Sequence, residues 1–215
     1  DKKVGKVLQR LEDDGLADNT IVFFFSDHGR PMVRGKQWLY DEGIHIPLIV
    51  RWPEHIRSGT VVSDLVSTID FAPTWLKLAG ISPPEHMQGK VFLEPESEAA
   101  RALRNRVFAA RDRCGEADDR IRCVRTKRFK YIRNFFPETP YTQFNAYKKL
   151  EYPVLTLMEI LYAQGKLTLE QARFMAPARP EEELYDLQND PYEIYNLAED
   201  PKYEMKLKEL RSSLD

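Results

Sequence analysis

Five consecutive apolar residues, Ile21-Val22-Phe23-Phe24-Phe25, run directly into Ser26-Asp27-His28-Gly29. A strand with no polar alternation has no face to give to water. It belongs between two covering layers, the setting of a parallel sheet flanked by helices. Burying five such side chains is worth on the order of 1.5–3 kcal/mol each, and exposing either face forfeits much of that. Ile46 to Trp52 (IPLIVRW) reads as a second strand of the same kind, ended by Pro53. Together they predict an α/β architecture for the first part of the chain.

The surrounding pattern agrees. Val4, Val7, Leu8 and Leu11 recur at helical spacing, with Gly15 as the stop, and Asp18-Asn19-Thr20 connects to the first strand. Asp70 is placed to cap a helix from Phe71 to Ala79, with Pro73 in its first turn and Gly80 ending it. Residues 81–105 read as a surface crossing with one short helix. Beyond them Arg106–Arg111 (RVFAAR), Arg120–Thr126 (RIRCVRT) and Phe129–Arg133 (FKYIR) alternate apolar with polar, which predicts antiparallel strands with one wet face. A helical insert follows at about 150–176, its second helix opening on the capping pair Thr168 and Gln171. Glu183–Leu187 reads as the last strand. Asp200-Pro201 starts a final helix with Tyr203, Leu207, Leu210 and Leu214 on one face. The division expected is therefore residues 1–100, part of a mostly parallel α/β sheet with helices, and 101–215, a smaller antiparallel sheet with a helical insert and a C-terminal helix.

Composition excludes little. With 215 residues, 42% hydrophobic and 31% charged, the chain can bury a good core. The 32 basic and 34 acidic side chains leave a net charge of −2, so neither nucleic acid nor a membrane surface is expected as partner. The basic cluster of Arg120, Arg122 and Arg125 to Lys130 alternates with apolar residues and reads as the solvated face of a strand. No apolar run approaches the roughly 20 residues of a spanning helix. Cys114 and Cys123 form no CxxC; they can pair across a hairpin or stay free. Asp1 opens directly into a helix pattern, as if something precedes it.

Neighbouring residues on a strand point to opposite faces, so Asp27 and His28 cannot address one point from within a regular strand. They can where the strand ends and the chain turns, and Gly29 permits a turn. Open α/β sheets place ligands outside the carboxyl ends of their strands, where an acid beside an imidazole makes half a metal site. Lys36, nine residues after Asp27, supplies a fixed positive charge for an anionic substrate. The plainer reading has Asp27 capping the next turn, His28 at an edge and Lys36 in solvent; the dipeptide alone favours it.

The wider stretches carry more. "LADNTIVFFFSDHG", "RGKQWLYDEGIHIPLIVRWP", "STIDFAPTWLKLAGI" and "EELYDLQNDPYEIYNLAED" stand in the order found in the sulfatase family, of the alkaline-phosphatase-like superfamily. The resemblance spans almost the whole chain. Its least specific part, Phe135 to Pro180, looks like bacterial sulfatases that resemble heparan N-sulfatase. The resemblance implies that Asp27 and His28 ligate a divalent cation, usually calcium, and that Lys36 contacts the sulfate. The family usually has Arg where this chain has His45, which is left out of the core site. Sulfatases use a formylglycine made in a C/S-x-P/A-x-R motif. Here Cys114 is followed by Gly-Glu-Ala-Asp, Cys123 by Val-Arg-Thr-Lys, and no serine has the pattern. That motif, and the family's Asp-Asp metal pair, would lie upstream of Asp1. The resemblance thus implies the C-terminal portion of a sulfatase acting on sulfated carbohydrate, exported or lysosomal. Its partner would be the missing N-terminal part of the same protein, and alone it would be inactive.

Other residues carry weaker expectations. Arg111 and Arg113 can reach a sulfated sugar at a cleft rim, since guanidinium forks suit sulfate as they suit phosphate; a charged hairpin end explains them equally well. Trp38 and Tyr40 can stack on a sugar ring or line the core. His55 and His86 read as surface residues, and Glu193 and Asn196 as turn organisers. Two rival functions stand beside the first: a phosphoric-ester hydrolase of the same superfamily, and a non-enzymatic domain binding sulfated glycans.

Overall fold

The computed structural model describes residues 1–93 and 104–214. Of the crossing at 81–105, where one short helix is expected, residues 94–103 lie outside the described residues. In chain order the elements are α1 (Lys2–Asp13), β1 (Val22–Phe25), α2 (Asp41–Ile44), β2 (Leu48–Arg51), α3 (Phe71–Leu78), β3 (Arg106–Cys114), β4 (Ala117–Thr126), β5 (Phe129–Asn134), α4 (Ala146–Glu151), α5 (Pro153–Ala163), α6 (Leu169–Phe174), β6 (Glu182–Asp186) and α7 (Glu204–Leu214). The chain is mixed α/β, with an antiparallel sheet and a C-terminal helix following the first strands.

The first two strands differ from expectation in direction. β1 pairs with β2 antiparallel, Val22 opposite Arg51 through Phe25 opposite Leu48. Between them the chain doubles back through α2, which returns it on the same edge. One face of this ribbon is covered by α3: Phe25 meets Phe71 with ring centroids 4.8 Å apart, and Phe23 meets Trp75 at 5.8 Å. On the other face Phe24 and Ile49, paired across the ribbon, stay 44% and 60% exposed. The strand sequence is apolar on both faces, but the described residues cover only one.

β3, β4, β5 and β6 form a second, wholly antiparallel sheet in that order. Both of its faces are covered, where one wet face was expected. On one face Val124, Tyr131 and Leu184 pack under Leu207 and Leu210 of α7. On the other, Ile121, Cys123, Ile132 and Tyr185 pack against Tyr152, Leu155 and Phe174 of the helical insert and against Trp38, Leu39 and Tyr40. A single core thus joins residues 38–40 to the second sheet. Cys114 and Cys123 are unpaired, and burial pushes the Cys123 thiol up to about 12.

Two local signals translate directly. Thr168 and Gln171 close a reciprocal capping box on α6. Gly80, at φ +77°, ends α3 with the bonds Gly80 N to Lys77 O and Ile81 N to Leu76 O, a Schellman turn. Asp70 acts differently from the cap expected. Its carboxylate makes no cap bond to α3 but accepts from the backbone N of Ser67 and Lys90, both at 2.8 Å, and pairs with Arg104. It pins the far side of the chain to the helix start.

Candidate functional site

Where β1 ends, the chain turns because backbone meets backbone. Gly29 N donates to Gly43 O and Arg30 N to Glu42 O, both at 3.0 Å, which locks residues 29–30 onto α2. A Cβ on Gly29 would stand 2.1 Å from Glu42 O, one on Gly35 2.2 Å from Arg30 O, and one on Gly43 2.2 Å from Trp38 O. Glycine at 29 therefore serves close approach rather than an unusual φ.

The turn brings Asp27 and His28 together. His28 Nε2 lies 3.6 Å from Asp27 Oδ1. His28 Nδ1 stands 2.7 Å from Gly29 O, and since a carbonyl only accepts, Nδ1 carries the proton. The neutral ring then presents the Nε2 lone pair beside the carboxylate, the arrangement in which a backbone acceptor fixes an imidazole for ligation. Asp27 is largely exposed and His28 about one-third so. Two such donors fit neighbouring positions on one divalent ion and fill only part of its shell, because calcium takes six to eight oxygens. Among the described residues no group of three or more His, Cys, Asp or Glu side chains is placed to hold a metal.

His28 lines a cleft of about 1080 Å³ whose wall also carries Arg30, Arg34, His45, Arg125, Lys127 and Arg128. The acids on it are Asp41, Glu42 and Glu193. Beneath the wall lies a buried charge network. Lys130 is fully buried, with Nζ 2.6 Å from Asp41 Oδ1 and 2.7 Å from Glu193 Oε1. Arg125 donates two hydrogen bonds to the Asp41 carboxylate, at 3.2 and 2.9 Å. Glu193 Oε2 accepts from Asp41 N at 2.6 Å, so a tail residue closes the start of α2. Arg34 donates to the backbone oxygens of Tyr192 and Glu193 at 2.8 and 2.6 Å, and its guanidinium lies 3.5 Å above the Tyr40 ring.

This network sets the acid behaviour of the fold. Burial acts to raise the Asp41 carboxyl, but the Arg125 hydrogen bond and the Lys130 charge outweigh it and hold Asp41 at about 2. A carboxyl held below its unfolded value stabilises the fold above the unfolded pKa and loses that contribution as pH falls through the folded one. The window runs from 3.8 down to about 2. The contribution is about 2 kcal/mol at neutral pH. Glu193, which burial raises, shifts the opposite way and offsets part of the loss. The urea midpoint of the full-length protein is expected to fall across that window, and Asp41→Asn to flatten the fall. An Asp41→Asn profile parallel to wild type would remove Asp41 as its source.

The other expected site residues are placed elsewhere. Lys36, half-buried, has its ammonium 5.4 Å from the Tyr147 ring centroid and off the cleft wall. Arg111 and Arg113 are not brought to the cleft either. A register shift between them turns the strand, so Arg111 is buried over the Trp38 ring at 4.4 Å while Arg113 points out beside Asp118. Trp38 and Tyr40 are both core residues, each 3% exposed, so neither is offered to a sugar. His55, stacked on Trp52, and His86 are exposed as expected. Asn196 organises the tail turn, accepting from Leu184 N and donating to Glu182 O.

Sequence reasoning missed Lys130, Arg125 and Arg34 as cleft residues and set His45 aside. Lys130 sits in an alternating strand where a lysine normally faces water, and its acid partners are 89 and 63 residues away in the sequence. His45 carried the one available signal, its place beside the GI of the second block.

The comparisons with known proteins identify the family. The family described as "N-sulphoglucosamine sulphohydrolase, C-terminal" matches residues 32–153. An ulvan-active sulfatase of Formosa agariphila is 46% identical over 219 residues, covering all of this chain and 35% of that protein. The N-sulphoglucosamine sulphohydrolase of Homo sapiens is 32% identical over 230 residues, covering all of this chain and 44% of that protein. A solved 2-O GAG sulfatase superimposes with a TM-score of 0.69 at 27% identity, over all of this chain and 39% of its own. A structure solved with its substrate D-glucosamine-2-N,6-O-disulfate superimposes with a TM-score of 0.65 at 25% identity, over 99% of this chain and 37% of its own. The chain thus spans between about a third and under half of the length of these relatives.

Proposed function

The chain belongs to the N-sulphoglucosamine sulphohydrolase C-terminal family of sulfatases, and from that premise we propose that the full-length protein hydrolyses sulfate esters or N-sulfates of sulfated sugars, with these residues supplying part of its metal and sulfate site. The observation that supports this is the Asp27–His28 pair, its Nε2 left open for a ligand, beside a cleft walled by five Lys and Arg side chains. Guanidinium forks match sulfate oxygens, and among the described residues Arg30 is engaged by Glu42 at 3.6 Å.

Asp27 and His28 would hold a divalent cation, calcium by family resemblance, which when bound neutralises sulfate oxygens. The chain's other groups orient the ligand and supply positive charge. Gly29 O holds the His28 ring and its proton at Nδ1. Arg30, with Arg34 and Arg125 fixed behind it, makes the wall positive. Lys36, on a flexible stem, swings from the Tyr147 ring to a sulfate oxygen. Ligation uses the Nε2 lone pair, so it is the neutral ring that would bind the ion. Asp27→Ala in the full-length protein should lose the calcium it binds; an unchanged calcium titration would contradict the assignment.

The nucleophile is not among these residues, since neither cysteine nor any serine has the C/S-x-P/A-x-R pattern. It comes, with the remaining ligands, from the rest of the full-length protein, which also covers the open Phe24–Ile49 face. The 215-residue chain alone is expected to give no turnover of an aryl sulfate under conditions where the full-length protein does. Turnover by the pure chain would show the division of labour to be wrong, and a full-length protein inactive on every sulfated sugar but active on phosphate esters would replace the reading with its rival. No described helix is long and apolar enough to cross a membrane; we propose export or a lysosomal site by family alone.

A further inference from the structure

On the insert side of the second sheet lies a small, partly enclosed cavity of about 10 Å³, bordered by Trp38, Arg111, Gln143, Asn145 and Lys148. A volume of that order holds one water-sized occupant. What faces it is unusual in sign. Trp38 Nε1, Arg111 Nε and Arg111 Nη1 are buried and have no hydrogen-bond partner among the described residues. The Arg111 side chain is 7% exposed. Its nearest acid, Asp119, stands 3.6 Å from Nη1, too far for a hydrogen bond. The Asp119 carboxylate is already committed to a two-pronged pair with Arg179, to Arg120 N at 2.8 Å and to Gln143 at 3.3 Å. Lys148, itself buried, reaches among the described residues only Val33 O, at 3.4 Å, and lies 5.5 Å from the Trp38 ring centroid. Asn145 Oδ1 is taken by Lys148 N, and its amide donates to Cys114 O.

Among the described residues lining the cavity the charged side chains are Arg111 and Lys148, both cationic; the nearby Asp119 is already paired with Arg179. Buried positive charge without a counter-charge is costly, and buried N–H groups without acceptors add to the cost. A water can accept two hydrogen bonds from these donors and give its own protons to the Gln37 or Thr142 oxygens that also line the space, but it brings no counter-charge. A monatomic anion accepts from every direction and removes the excess charge. A sulfate or phosphate is several times too large for the space. We propose that this cavity is a structural halide site, taking chloride between Trp38 Nε1, Arg111 and Lys148, separate from the cleft beside His28. Burial, and then the neighbouring Arg111 charge, push the Lys148 ammonium down to about 8; an anion there opposes both. The site gives Arg111 a task in the interior, tying β3 to residues 33–38 and to the helical insert.

Bromide tests this directly in the full-length protein. Crystals soaked in sodium bromide, with data collected at the bromine absorption edge, are expected to show an anomalous peak in contact with Trp38 Nε1 and Arg111. Density there without anomalous signal, at bromide concentrations that label other surface sites, is a water and overturns the proposal. In solution, chloride or bromide at constant ionic strength against gluconate is expected to raise the melting temperature along a saturable curve. Lys148→Met should flatten that curve, while Arg113→Met, at the exposed hairpin end, should leave it unchanged. A halide response of equal size in wild type and Lys148→Met, or none in wild type, would also overturn it.

Discussion

Lys36→Ala in the full-length protein is expected to slow turnover by at least about 100-fold, the effect of removing one preorganised charge donor from a developing anion. The expectation rests on the chemistry of the position. Lys36 follows the Gly35 that packs against Arg30 O, and its own backbone N donates to Arg30 O at 2.7 Å, so its Cα is tied to the turn that carries His28. The ammonium rests 5.4 Å from the Tyr147 ring centroid, a cation–π contact worth about 0.5–1 kcal/mol where partly exposed, which a sulfate oxygen easily outbids. Four rotatable bonds allow the change. Two controls separate the causes. Lys36→Arg keeps charge and should retain part of the rate. Tyr147→Ala, which removes only the resting contact, should leave the maximal rate nearly unchanged. A Lys36→Ala rate near wild type would take this side chain out of the mechanism and leave the sulfate to Arg30 and the metal.

Lys130→Met should destabilise the full-length protein by about 3–5 kcal/mol, because it strips a fully buried ion pair of its cation and leaves the acids behind. Asp41 keeps Arg125, but the Glu193 carboxylate, 2% exposed, keeps among the described residues the neutral Asp41 N as its donor. Burial already raises the Glu193 carboxyl. Without Lys130 it should take up a proton more readily, so the deficit of the variant is expected to be largest at neutral pH and to shrink in acid. Urea titrations across pH measure this, and the double variant with Glu193→Gln should recover much of the loss, since its buried charge is gone. A deficit below about 1 kcal/mol, the range of surface pairs, would contradict the network. The consequence reaches the cleft. Glu193 holds Asp41 N, α2 holds Gly29 and Arg30 through Gly43 O and Glu42 O, and that turn presents His28. Calcium affinity of the Lys130→Met protein should therefore fall although Lys130 touches no metal ligand.

What the sequence settled alone was local or periodic. The alternation from Arg106 onward, the Thr168–Gln171 box, the Gly80 stop and the stripe from Tyr203 to Leu214 depend on neighbours within a few residues, and each is where the spacing put it. The adjacency of Asp27 and His28 at a strand end was legible for the same reason. Tertiary structure decided everything that needed two distant segments in one place. The direction of β1 against β2 follows from how 22 intervening residues fold back, which five apolar residues in a row do not encode. Lys130 became a core residue because Asp41 and Glu193 arrive from opposite ends of the chain, and Trp38 with Arg111 turned inward because the helical insert closes over them. The physical reason is common to all three. Hydrophobic period and turn chemistry act over a few residues, whereas buried charge is tolerated only where its counter-charge is, and that location exists only once the chain has folded.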